Sequence, residues 1–108
     1  MFGFSFGPKS VSVTDAYEKL GTDGHCLLDV RTRSEVREVG VPGALNIPLD
    51  RLEAEAHRLS AYTSIHVMCR SGGRSSMATN LLHGLGMTHA ENVSGGILAW
   101  QAANLPTK

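Results

Sequence analysis

Apolar residues along the chain gather in short runs, and the segments between them carry a helical period. Cys26-Leu27-Leu28-Asp29-Val30 is nearly continuous, and Ile65-His66-Val67-Met68 and Ala90–Val93 are similarly brief. Runs this short, without strict alternation, suit strands covered on both faces. Ser10-Val11-Ser12-Val13 adds a strand-like start, and Ala44–Ile47, bounded by Pro42-Gly43 and Pro48, a further short strand. Thr14 is placed to cap a helix to about Leu20, with Asp15 and Glu18 in its early turns and Gly21 and Gly24 closing it. Ser34 is expected to cap a second short helix to about Val39. Asp50 through Leu59 puts Leu52, Ala56 and Leu59 on one helical face. Met77, Ala78, Leu81, Leu82 and Leu85 continue the period in a helix that ends near His83-Gly84, the glycine serving as a left-handed C-cap. Gly95-Gly96 turns into a last helix, Ile97 to about Ala103, before Pro106. Strand and helix alternate throughout, which predicts an α/β sandwich on a mostly parallel sheet of about five strands.

Composition narrows the function more than the fold. A chain of 108 residues makes a single domain, read here as 10–105 behind a loose tail of residues 1–9. The three phenylalanines of that tail are expected to lay at most one ring on the surface. Ten basic and ten acidic residues cancel, so no overall field recruits nucleic acid or an anionic membrane. No stretch approaches the roughly 18 apolar residues of a membrane span, and the N-terminus lacks the pattern of a signal peptide. Attraction for a small anion must therefore be local.

It is local at Cys69-Arg70-Ser71-Gly72-Gly73-Arg74. This segment leaves one strand and opens a helix, so its thiol sits beyond a strand's carboxyl end, the usual place for a site in such sheets. Backbone N–H groups in a glycine-bearing turn converge on an anion, and the helix N-terminus adds its positive end. Arg70 and Arg74 add two guanidinium groups. All of these favour thiolate over thiol, and the thiolate is the nucleophile. Gly72 and Gly73 allow a tight turn that aims its N–H groups at the sulfur. Ser71, Ser75 and Ser76 can each donate a hydroxyl to sulfur or substrate as supporting groups, with capping of the following helix the favoured role for Ser75.

The string Cys69 to Ser75 resembles the active-site loop of the rhodanese family, sulfurtransferases that carry sulfur on a cysteine persulfide. Leu27-Leu28-Asp29-Val30-Arg31 with Glu35, Val41-Pro42-Gly43-Ala44-Leu45-Asn46-Ile47-Pro48, and Gly95-Gly96 with Trp100 resemble three further motifs of that family, in the same order. The match covers about Ser10 to Trp100. It implies a three-layer α/β/α sandwich, Cys69 as nucleophile, and Asp29 and Arg31 as braces for the loop, a solvated ion pair being the alternative for those two. It implies Arg74 orienting a small anionic sulfur donor such as thiosulfate, with Arg70 tuning substrate choice. The acceptor would be cyanide or a thiol, on a small molecule or a partner protein. No metal or organic cofactor is expected. With the strands parallel, as the resemblance implies, Cys26 and Cys69 lie too far apart along the sheet for a disulfide. Cys26 reads as core and Cys69 as a free thiol, which suits a reducing compartment, the cytoplasm.

Two rival readings remain. A cysteine-dependent phosphatase or arsenate reductase on a similar fold needs Cys-x5-Arg; here Cys69 to Arg74 is Cys-x4-Arg, and Ser75 holds the phosphatase position. A slow or non-catalytic sulfur-binding module is the second. The dibasic loop points to a dianionic donor rather than mercaptopyruvate. Val39-Gly40 stands where the resembling family carries Gly-His. The five histidines fall on different elements and show no ligand spacing, so no metal site is indicated. Trp100 reads as a packing anchor.

Overall fold

A computed structural model describes residues 9–108; the expectations for the N-terminal tail fall, save for Lys9, outside them. Strands β1 (Ser10–Val11), β2 (His25–Asp29), β3 (Leu45–Asn46), β4 (Ser64–Met68) and β5 (Ala90–Val93) form one sheet in the order β1-β5-β4-β2-β3. Every pairing is parallel. Helices α1 (Val13–Lys19), α2 (Arg33–Glu38), α3 (Leu49–Glu55), α4 (Gly73–Gly84) and α5 (Gly96–Ala102) connect and cover them.

Side-chain alternation divides the core in two. Cys26, Leu28, Ile65, Val67 and Cys69 pack with Leu52 of α3 and Ala78 and Leu82 of α4. Leu27, Met68 and Val93 pack on the other face with Val13 and Ala16 of α1 and Ile97 and Trp100 of α5. Successive strand residues point to opposite faces, so two helical layers are needed. Trp100 is fully buried, lies edge-on to Tyr17 at 5.7 Å between ring centres, and donates its indole N–H to the Pro106 carbonyl at 2.8 Å. It is the anchor that the sequence suggests.

Each strand appears where its apolar run lies, but several helix ends differ. Ser12, not Thr14, caps α1, its hydroxyl accepting from the Asp15 N–H at 3.1 Å. Thr32, not Ser34, caps α2 through a reciprocal capping box with Glu35. The helix expected over 50–59 begins at Leu49 and tightens to a 3-10 turn at Ala56–Leu59. α4 runs through Gly84, and the left-handed residue is Gly86, at φ 93°. Both cysteines are free. Cys26 stands opposite Ile65, with Cys69 four residues further along. No helix among the described residues is long and apolar enough to cross a membrane.

Candidate active site

β4 and β2 lie side by side at the centre of the sheet, and their carboxyl ends deliver the two halves of the site. Beyond Met68 the chain turns through residues 69–72 into α4, whose N-cap is Gly72 at φ 120°. An L side chain rarely adopts that conformation, so the glycine is required there. The turn points the Gly72 N–H at the Cys69 sulfur, 3.1 Å away. The Ser75 hydroxyl, one turn into the helix, donates to the same sulfur at 3.3 Å. Ser75 therefore does not cap α4, which has no side-chain cap at all.

Cys69 is only 1% exposed. Burial alone would push its pKa up, but the Ser75 hydroxyl and the backbone N–H groups of Ser75, Gly72 and Ser71 outweigh it and bring the thiol below its ordinary value. Cys26 is the contrast: burial without such donors pushes it up to about 11. The leading support for the Cys69 thiolate is thus the hydrogen bonds, the loop N–H groups that the sequence suggests together with the Ser75 hydroxyl, and not the two arginines.

The two arginines differ in their partners. Arg74 forms a bidentate pair with Glu35, Nη1 to Oε1 at 2.6 Å and Nη2 to Oε2 at 2.9 Å. Arg70 is exposed and pairs with no acid among the described residues. Asp29 and Arg31 are not a solvated pair: their side chains are 1% and 2% exposed. Arg31 reaches the Asp29 carboxylate through Nε and Nη2, the shortest contact 2.7 Å, and donates from Nη2 to the Val39 carbonyl at 2.8 Å. The Asn46 amide donates to the carbonyls of Asp29 and Arg31 at 2.8 and 3.0 Å, and the Val30 N–H joins this end of β2 to the Met68 carbonyl at 3.0 Å. Gly40, at the departure from the family pattern, exchanges backbone hydrogen bonds with Lys108 at 3.0 and 2.9 Å.

The floor of the loop is held by α5. The Ile97 N–H donates to the Cys69 carbonyl at 2.9 Å and the Leu98 N–H to the Arg70 carbonyl at 3.2 Å. Gly96 makes the approach possible. A Cβ there would fall against the Cys69 carbonyl oxygen and 2.6 Å from that of Arg70. Gly73, by contrast, has open space around its Cα, so of the loop's two glycines it is Gly72 that the geometry demands. A cavity of about 350 Å³ beside the loop is lined by Val30, Thr32, Pro48, Leu49, Asp50 and Arg74.

His66 faces away from Cys69, as strand geometry predicts, and its Nδ1 meets Nε2 of His25 at 2.9 Å. Sequence spacing hides this pair, because β2 and β4 bring together residues distant along the chain. Among the described residues no group of three or more potential ligands could hold a metal ion.

The sequence model of the rhodanese-like domain matches residues 12–103. Thiosulfate sulfurtransferase 16, chloroplastic, of Arabidopsis thaliana is 39% identical over 94% of this chain and 93% of its own length. The adenylyltransferase and sulfurtransferase MOCS3-1 of Zea mays is 36% identical over 86% of this chain, but over only 22% of that longer protein. The crystal structure of a rhodanese-related protein from Thermoplasma volcanium superposes with a TM-score of 0.83 at 29% identity, covering 93% of this chain and 97% of the other. A thiol stabilised by its own turn, on a five-stranded parallel sheet and within a match of this extent, places the chain in the rhodanese-like sulfurtransferase family.

Proposed function

We propose that the protein moves sulfane sulfur from a small anionic donor to a nucleophilic acceptor through a persulfide on Cys69. The observation that carries this is the Cys69 sulfur accepting hydrogen bonds from Gly72 and Ser75, since those donors can hold a negative charge on sulfur without a metal or organic cofactor. With thiosulfate as donor, the Cys69 thiolate attacks the outer sulfur. A new S–S bond forms, the donor's S–S bond breaks, and its electron pair leaves on sulfite. The persulfide anion inherits the loop's hydrogen bonds. Cyanide, or a thiolate on a small molecule or partner protein, then attacks the outer sulfur and returns Cys69 as thiolate. This is covalent catalysis with ping-pong kinetics. A reducing compartment, the cytoplasm, suits two free thiols.

The near-complete burial of Cys69 favours a second reading, a module that accepts and presents sulfur slowly. One experiment addresses both. Intact-protein mass spectrometry before and after thiosulfate, with Cys69→Ser as control, should show one sulfur gained by the wild type, removed by cyanide and absent from the variant. Loading within seconds supports the enzyme, and loading over hours the slow module. A wild type that gains nothing from thiosulfate or polysulfide sinks the sulfur-transfer reading.

A further inference from the structure

One of the loop's two guanidinium groups is already occupied. Glu35 takes both arms of the Arg74 fork and is itself pinned. Its Oε1 also accepts from the Thr32 N–H and the Thr32 hydroxyl at 3.1 Å each, while the Glu35 N–H donates to that hydroxyl at 3.2 Å. Chiefly because of the Arg74 hydrogen bonds, the Glu35 carboxyl is held at about 2, so it stays ionised wherever a thiolate exists. Arg74 also lies within the fields of Cys69 and Asp29 and shares a cavity wall with Asp50. Its side chain is 36% exposed and that of Glu35 29%, so the pair is within reach of solutes.

We infer that Glu35 is a positioning residue that sets the affinity for the anionic donor by withholding Arg74 from it. This rests on the sulfurtransferase reading and deepens it. A bidentate arginine–carboxylate pair is strong and directional, and a dianion seeking the same fork must displace Glu35 or do without it. Donor recognition then falls to Arg70 and the loop N–H groups. The product sulfite, also an anion, is correspondingly less well held, so weak donor binding is coupled to easy product release.

Glu35→Gln is the decisive variant. Glutamine can serve at this position of a capping box, so α2 keeps its start while the negative charge opposite Arg74 is lost. The KM for thiosulfate should fall about fivefold, and that for an organic thiosulfonate, a monoanion that yields the same persulfide and a sulfinate, by a clearly smaller factor. Equal effects on both donors, or a thiosulfate KM that is unchanged or higher, overturn the inference, because a purely structural role for Glu35 cannot distinguish donor charge.

A second readout does not need sulfur transfer. The alkylation rate of Cys69 by iodoacetate, divided by that for iodoacetamide, reports the field at the sulfur, with peptide mass spectrometry separating Cys69 from Cys26. That ratio should rise about fivefold in Glu35→Gln and return to the wild-type value when Arg74→Gln is added. An unchanged ratio overturns the inference even where the wild type loads sulfur. A risen ratio in a protein that loads no sulfur removes the donor reading instead and leaves the Glu35 restraint of Arg74 standing.

Discussion

A single hydroxyl decides much of the reactivity of Cys69. The helix after the loop starts at Gly73, so Ser75 falls inside its first turn rather than at its cap, and its side chain turns back to the sulfur. A serine near a helix start is ordinarily read as a cap, and only the exact starting residue separates the two roles. Cys69 itself and the loop glycines were legible in the sequence because their chemistry is local. Ser75→Ala should move the pKa of Cys69 upward, since a donor to the thiolate is lost. At neutral pH the alkylation rate of Cys69 should drop about threefold to tenfold, the equivalent of one hydrogen bond; an unchanged pH profile of alkylation would contradict the assignment. The engagement of Arg74 could not be read in the same way, because its partner lies 39 residues away in sequence.

At the scale of elements, the strands were legible and the caps of α1 and α2 were not. Ser12 and Thr14, and Thr32 and Ser34, are pairs of capping candidates two residues apart. In each pair the residue that caps has an acid three positions on, Asp15 or Glu35, and that spacing is a usable signal. The contact of α5 with the loop has no sequence signature beyond Gly95-Gly96, and its consequence is steric. Gly96→Ala should displace residues 69–70, destabilise the fold by about 1–3 kcal/mol and abolish sulfur loading. Gly73→Ala, with open space around it, should retain loading. Denaturant midpoints and intact mass measured on the two variants test the contrast, and a fully active Gly96→Ala would show that α5 does not hold the loop.

The whole molecule carries a pH dependence unrelated to its thiol. Burial comes first among the causes that lower both His25, to about 4, and His66. The two imidazoles face each other, with Lys19 of α1 disfavouring charge on both. Glu91 of β5, whose Oε1 is 3.6 Å from His66 Nε2, and Asp15 of α1 favour charge on His66. Unfolded histidines titrate near 6.5, so below that value the unfolded chain binds protons that the folded one refuses. Stability is therefore full above about pH 6.5 and declines as pH falls toward 4, by about 2 kcal/mol. The depressed carboxyl of Glu35 adds its own loss only at lower pH, between its ordinary value and about 2. Urea midpoints at pH 7.5 and pH 4.5 should reveal the decline, and replacing both histidines with leucine should flatten it; a wild type equally stable at both values would refute it. Nothing in the histidine spacing announces this pair, since only the register of β2 against β4 creates it.

The α5 contact also bears on how the assembly of the loop can be followed. The N–H groups that hold the Cys69 and Arg70 carbonyls belong to residues 97 and 98 of α5. α5 therefore braces the loop's backbone, while the donors that reach the sulfur, Gly72 and Ser75, lie in the loop and in α4. Trp100, the chain's single tryptophan, is buried on that same helix, which makes its intrinsic fluorescence a reporter of α5 docking beneath the loop.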